Sequence, residues 1–351
     1  MFRYIGNKTK LLPELIRAIS EAVPPRSTVV DLMAGTGSVA SELRKNGFRV
    51  IASDMMTYSK YHLVTQLLLD RSPSFIGLKD HVQLSTDGES DYENVLTYLN
   101  NLSKKKSYFF REFSPEGTPK NGTPSRKYFT SENAQKIDSI RETINEWVEN
   151  KWITEKEEAL LKHTLIMAVN SVANISGTYG YFLSTFNKNS TEKIILKPIS
   201  FITEGSTDNV VIQGFAEEVS ATITADLCYI DPPYMKRQYA ANYHILETIA
   251  RGDFPEAAGK SGLRNWWDQH SKFCTKTAIR ESFDKVITSM NCPKFLISYS
   301  EDGLLSIEEL VSLFSKYGVV SYQNIEYSRF RSNNSSLSKE LNEYIISLEK
   351  K

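Results

Sequence analysis

Ser27 to Ala40 reads S-T-V-V-D-L-M-A-G-T-G-S-V-A. Its β-branched run, Thr28 to Val30, suits a buried strand; a glycine turn follows, then a helical pattern from Ser38 to Asn46 that Gly47 closes. Gly35 and Gly37 permit positive φ and let the backbone, Ala34 included, approach a ligand closely at a helix N-terminus. Strand, glycine turn and helix in that order make the first unit of a nucleotide-binding sheet. Asp31 stands just before the loop. The next strand, Arg49 to Ala52, ends at Asp54, whose carboxylate can take both hydroxyls of a ribose. Met55 beside it suits either the face of an adenine ring or the core. Gly35, Gly37 and Ala40 also satisfy the fingerprint G-x-G-x-x-A, so a nicotinamide-dependent dehydrogenase stays open as an alternative.

Composition sets outer bounds. A chain of 351 residues can bury a large core, as one enlarged α/β domain or a core with an insertion. Lys plus Arg and Asp plus Glu both number 42, so a nucleic-acid face has to be a local patch. Cys228, Cys274 and Cys292 are scattered without C-x-x-C spacing, which argues against a disulfide framework or a zinc site and for a reducing cytoplasm. No signal-peptide core opens the chain, and Ala159 to Ile175 is broken by Lys162, His163 and Asn170, so the expectation is a cytoplasmic protein with no membrane span and no metal requirement.

A second unit ends in chemistry. Ala225 to Tyr234 reads A-D-L-C-Y-I-D-P-P-Y: Leu227 to Ile230 suit a buried parallel strand that two prolines must stop. Asp231 and Tyr234 then lie at the carboxyl end of a strand, where open α/β sheets bind ligands. D-P-P-Y resembles the catalytic tetrapeptide of the amino-directed DNA methyltransferases, with Asp first as in the adenine-N6 enzymes. The opening F-R-Y-I-G-N-K, an aromatic-x-Gly-x-Lys turn before a helical pattern at Leu11 to Ile19, resembles that of the alpha-ordered, Dam-like group. The order of these motifs, with a large insertion before D-P-P-Y, is similar to the same group at both ends of the chain.

That resemblance implies an α/β fold, a Rossmann-like S-adenosylmethionine-dependent methyltransferase sheet with a largely helical inserted domain. It puts the catalytic core at 1–57 and 207–351 and a target-recognition domain at 58–206. It implies S-adenosylmethionine as cofactor, Tyr4 and Lys8 at its methionine end, with Lys8 a point charge for the carboxylate, and duplex DNA as substrate, with a cognate restriction endonuclease as a cellular partner. Asp231 and the Pro232 carbonyl would accept the two N–H bonds of an adenine amino group, and Tyr234 would stack on the flipped base. Related enzymes carry an acidic residue near Gly214 for the cofactor's exocyclic amine; this chain has Gly214-Phe215, and Phe215 can cover the adenine face. An RNA or other amino-group methyltransferase remains an alternative, although those groups usually carry Asn at the position of Asp231.

Within the insertion, helices are expected at 59–71, 91–103, 131–149 and 154–173, with a loop from Ser103 to Lys127. Lys104, Lys105, Lys106, Arg111, Lys120, Arg126 and Lys127 there oppose only Glu112 and Glu116, seven less two leaving five positive charges for phosphates. Lys104, Lys105, Lys106, Arg126 and Lys127, with Tyr239 beyond D-P-P-Y, are the expected DNA contacts. Tyr108, Phe109, Phe110 and Phe113 could touch bases or anchor the loop. Asn174 to Tyr181, N-I-S-G-T-Y-G-Y, is either aromatic packing after a helix or a contact surface. His244 among apolar neighbours reads as structural or DNA-contacting rather than as a base. Further on, a strand at Lys294 to Ser298, a helix at Ser306 to Tyr317 and a hairpin of Val319 to Tyr322 with Tyr344 to Leu348 close the fold.

Overall fold

The computed structural model describes Lys8, residues 11–328 and residues 340–351. The expected Tyr4 lies outside them. Along the chain, α1 (Leu12–Ala22), β1 (Thr28–Asp31), α2 (Ser38–Lys45), β2 (Arg49–Asp54) and α3 (Thr57–Leu68) alternate as the glycine-turn unit requires. Helices α4 (Asp91–Asn101), α5 (Tyr108–Phe113), α6 (Ser131–Glu149) and α7 (Glu155–Val172) follow with no strand assigned between them. Then come β3 (Val210–Gln213), α8 (Ala216–Val219), β4 (Leu227–Ile230), α9 (Tyr239–Asn242) and α10 (His244–Arg251). The last stretch holds α11 (Ile279–Ser289), β5 (Lys294–Ser300), α12 (Ile307–Phe314), β6 (Gly318–Ser328) and β7 (Glu340–Lys350).

The seven strands form one sheet in the order β3-β2-β1-β4-β5-β7-β6. The first five run parallel, and β7 is antiparallel to both β5 and β6. Chain order reverses between β1 and β4, which makes their carboxyl ends the crevice where such sheets take ligands. Period-two alternation sends Val30, Ile51, Cys228, Phe295 and Ile297 into one cluster with Phe283, Val286, Leu310 and Phe314 of α11 and α12. Reciprocal bonds between Thr154 and Glu157, and between Ser306 and Glu309, cap α7 and α12.

The chain divides into two compact units. Among the described residues, one holds Lys8, 11–63, 204–239, 269–328 and 340–351 and contains the sheet; the other holds 64–203 and 240–268. The boundaries differ from the expected 58–206: α10 and the irregular segment after it belong with the insertion, so that unit is assembled from two pieces of chain. The physical tie is visible inside it, where Arg141 of α6 donates to the Asp253 carbonyl at 2.5 Å and Asn145 to the Gly252 carbonyl at 2.7 Å. No helix among the described residues is long and apolar enough to cross a membrane.

Candidate active site

Three carboxylates end three neighbouring strands. Asp31 closes β1, Asp54 closes β2 and Asp231 follows β4. Between the first two runs the glycine loop, with φ of 54° at Gly35 and 79° at Gly37, values that a side chain would make strained. The loop is held from outside: Gly35 N–H donates to Asp54 Oδ2 at 2.9 Å, Met56 N–H to Asp54 Oδ1 at 2.8 Å, and Ala34 N–H to the Ser53 carbonyl at 2.9 Å. Asp54 therefore fixes the loop.

Asp31 is 1% exposed, and its Oδ2 has no hydrogen-bond partner. Burial, reinforced by the charges of Asp231 and Asp54 against a backbone bond near Ala40, pushes its carboxyl up to about 8. A buried acceptor left open beside a glycine cradle fits a cationic ligand such as S-adenosylmethionine, and Asp54 fits its ribose. Met55 and Phe215 are half-buried at the ends of β2 and of the turn after β3, whereas neighbouring Met56, 1% exposed, is the core residue. Two residues that sequence did not single out, Gln213 and Gln269, donate to the Met55 carbonyl at 3.4 and 3.2 Å. Gln213 is register-paired with Asp54, a relation only the folded sheet supplies.

The D-P-P-Y residues are drawn together with Lys8. Tyr234 Oη donates to Asp231 Oδ1 at 2.5 Å and lies 2.8 Å from Glu343 Oε1. Lys8 Nζ contacts Tyr234 Oη and Glu343 Oε1, pairs with Asp231 Oδ1 at 3.3 Å and stands 4.7 Å over the Tyr234 ring. Two carboxylates and a phenol thus surround the ammonium, which ties Lys8 to the D-P-P-Y group. Burial lowers its pKa, but Asp231 and Glu343 outweigh that and raise it. Burial pushes Asp231 up to about 6, with Lys8 lowering it and Glu343 raising it. The loop is tethered at this point, for Leu304 N–H donates to the Tyr234 carbonyl at 3.0 Å and the Tyr299 ring meets that of Tyr234 edge-on at 5.4 Å.

The insertion redistributes the expected DNA contacts. Lys104, Lys105 and Lys106 are exposed; the first two pair with Glu132 and Glu142 of α6, and Lys106 stands 5.0 Å over the Phe110 ring. Lys127 donates to the Ser184 carbonyl at 3.1 Å, and Tyr239 opens α9, half-buried. Arg126 is a correction: it is 0% exposed, pairs with Glu112 at 3.1 Å and donates to the carbonyls of Ala257, Gly259 and Lys260, so no phosphate can reach it. The expected loop also contains α5, because Asp138 accepts from the N–H groups of Ser107, Phe109 and Phe110 at its start. Tyr108, Phe109 and Phe113 are buried anchors. His244 is buried too, its Nε2 3.0 Å from the Tyr179 carbonyl and its pKa lowered to about 3 by burial, as suits a neutral ring packed in the core. Tyr179 lies in the core, while Tyr181 stacks on Phe182 at the surface.

Comparison with known proteins agrees with this geometry. A family model described as "D12 class N6 adenine-specific DNA methyltransferase" matches residues 4–313. Type II methyltransferase M.FokI of Planomicrobium okeanokoites is 35% identical over 352 residues, covering 99% of this chain and 52% of that protein. Modification methylase StsI of Streptococcus sanguinis is 32% identical, with coverages of 99% and 52%, and Type II methyltransferase M.NlaIII of Neisseria lactamica is 32% identical, with 93% and 92%. The chain thus spans about half the length of the first two relatives and nearly all of the third. With its glycine loop, its D-P-P-Y turn and this match over most of its length, the chain belongs to the D12 class N6 adenine-specific DNA methyltransferase family.

Proposed function

We infer that this chain methylates the N6 amino group of adenine in duplex DNA at a specific sequence, alongside a cognate restriction endonuclease. The observation that carries the reading is the Asp231 carboxylate at the carboxyl end of β4, next to the Gly35 and Gly37 cradle across the switch point of the sheet. Asp31, Ala34, Gly35, Gly37, Asp54, Met55 and Phe215 would hold S-adenosylmethionine, which supplies a methyl group on a sulfonium when bound. The chain's own work is on the nitrogen. An adenine amino group is a weak nucleophile because its lone pair is delocalised into the ring. Asp231 and the Pro232 carbonyl accept its two N–H bonds, turning the lone pair out of the ring plane and along the line of displacement. The nitrogen would lose one proton on methylation, and Asp231, as an acceptor of its N–H bonds, would be the base placed to take it. Tyr234 flanks the base, which has to leave the stack to be reached. Target reading falls to the unit of 64–203 and 240–268, with exposed Lys104, Lys105 and Lys106 on phosphates.

The test is tritium transfer from labelled S-adenosylmethionine to unmethylated genomic DNA, followed by nucleoside analysis. Label is expected in N6-methyladenine. Asp231→Ala should reduce kcat roughly 100- to 1000-fold, the scale for removing one preorganised transition-state partner, while cofactor affinity is kept. Label in cytosine, or in RNA alone, overturns the reading.

A further inference from the structure

One buried carboxylate outside the expected site faces the same atoms as Asp231. Glu343, on β7 opposite Ser300 of β5, is 4% exposed. Its Oε1 meets the Lys8 ammonium and the Tyr234 hydroxyl, the two groups that also sit on Asp231 Oδ1. A phenol has one proton, so Tyr234 can donate to only one of the two carboxylates at a time. Tyr234 at 2.5 Å and Lys8 at 3.3 Å both crowd Oδ1 of Asp231, one of the two oxygens on which an adenine amino group would be received.

We propose that Glu343 is a positioning residue for methyl transfer: it is the second seat for the Lys8 ammonium and the Tyr234 hydroxyl, and their settling there opens Asp231 Oδ1 to the adenine amino group. The inference rests on the adenine-N6 reading given above. Charge balance supports it. A buried ammonium must keep a counter-charge, and one cation between two carboxylates can satisfy only one of them fully. With Lys8 on Glu343 that pair is neutral, and Asp231 stays ionised to receive neutral N–H donors. Lys8 Nζ already lies nearer Glu343 than Asp231. Without the Glu343 charge, Asp231 is the carboxylate left to Lys8, which would close the acceptor. Lys8, Glu343 and Tyr234 face Asp231 directly, with Asp31 of β1 and Tyr229 of β4 also interacting with it.

Single-turnover tritium transfer to unmethylated genomic DNA, with enzyme in excess, tests this in wild type, E343Q, E343D and in Tyr234→Phe with and without E343Q. E343Q should slow transfer at least roughly tenfold, with equilibrium affinity for S-adenosylmethionine kept within about twofold. It should also move the acid limb of the rate profile to lower pH, because it removes a charge that raises Asp231 and hands Lys8 to Asp231. E343D keeps the charge and should recover all but a fewfold of the rate. In Tyr234→Phe the hydroxyl needs no second seat, so E343Q should slow transfer less there than in wild type. A rate that falls only in step with cofactor binding, with the acid limb unmoved, would mark Glu343 as a strut and overturn the proposal. Should E343Q not fold, E343D is compared in wild type and in Tyr234→Phe: a loss at unchanged cofactor affinity that shrinks in the Tyr234→Phe background upholds the proposal, and a loss equal in both backgrounds or in step with cofactor binding overturns it. Absence of N6-methyladenine from the wild-type product is a different result, for it refutes the adenine-N6 reading itself.

Discussion

Asp31 sits where burial, before any neighbour, disfavours its ionised form. With burial, Asp231 and Asp54 all acting against ionisation, the carboxyl is raised from 3.8 to about 8 and should be neutral in the folded chain near pH 7. A carboxyl whose folded value lies above its unfolded one stabilises the fold fully below the unfolded value, and that contribution is lost as pH rises through the folded value. Between roughly pH 4 and pH 8 the loss is at most about 1.4 kcal/mol per unit. Asp31→Asn cannot ionise and should escape it. Thermal melting of both proteins at pH 5, 7 and 9 is expected to show the wild type falling relative to the variant; parallel curves would mean that Asp31 ionises normally. At this scale the sequence was informative where local pattern carries the chemistry. Asp31, Asp54, Asp231 and Tyr234 all follow strands that β-branched or apolar runs announce. Glu343 and Gln213 were invisible because their proximity comes from strand register across the sheet, 112 and 159 residues from Asp231 and Asp54 respectively, as the numbering gives.

At the scale of elements, what propensity reads well and what it misses divide along the same line. The expected helix at 131–149 matches α6, and the expected start of the 91–103 helix matches α4, because each has an oxygen-bearing N-cap and an apolar stripe. Helix α5 was read as loop: its donors are capped by Asp138, from another helix, and no window of sequence contains both. Arg126 was misread for a related reason. A cation in a basic stretch suggests phosphate, yet this one is spent on Glu112 and on the carbonyls that follow α10. Arg126→Met should therefore lower stability by about 3 kcal/mol, the low end for breaking a buried pair, since Arg111 still reaches Glu112 at 2.9 Å. Urea unfolding measures the loss. Weakened DNA affinity at unchanged stability would instead restore Arg126 to the interface.

For the whole molecule, 42 basic residues balance 42 acidic ones, so the DNA binding proposed above would not rest on a general positive field. It has to come from cations whose local partners release them. Lys104 and Lys105 meet that condition: their pairs with Glu132 and Glu142 are exposed, and exposed pairs are worth about 0.2–1 kcal/mol, less than a phosphate contact that frees condensed counterions can return. Lys106 stands over the Phe110 ring and has no ion pair among the described residues. Replacing all three with Ala should weaken binding to every duplex alike and reduce the salt dependence by roughly 0.9 per lost contact, because phosphate contacts position a protein without reading sequence. Fluorescence titration of the variant at several salt concentrations, against both a methylatable fragment and random DNA, distinguishes the outcomes. Retained affinity for random DNA with lost discrimination would make this segment a base reader and reverse the division of labour argued here. No change in either would leave the three lysines as surface charge, and the phosphate contacts would have to be sought on other exposed cations of the chain.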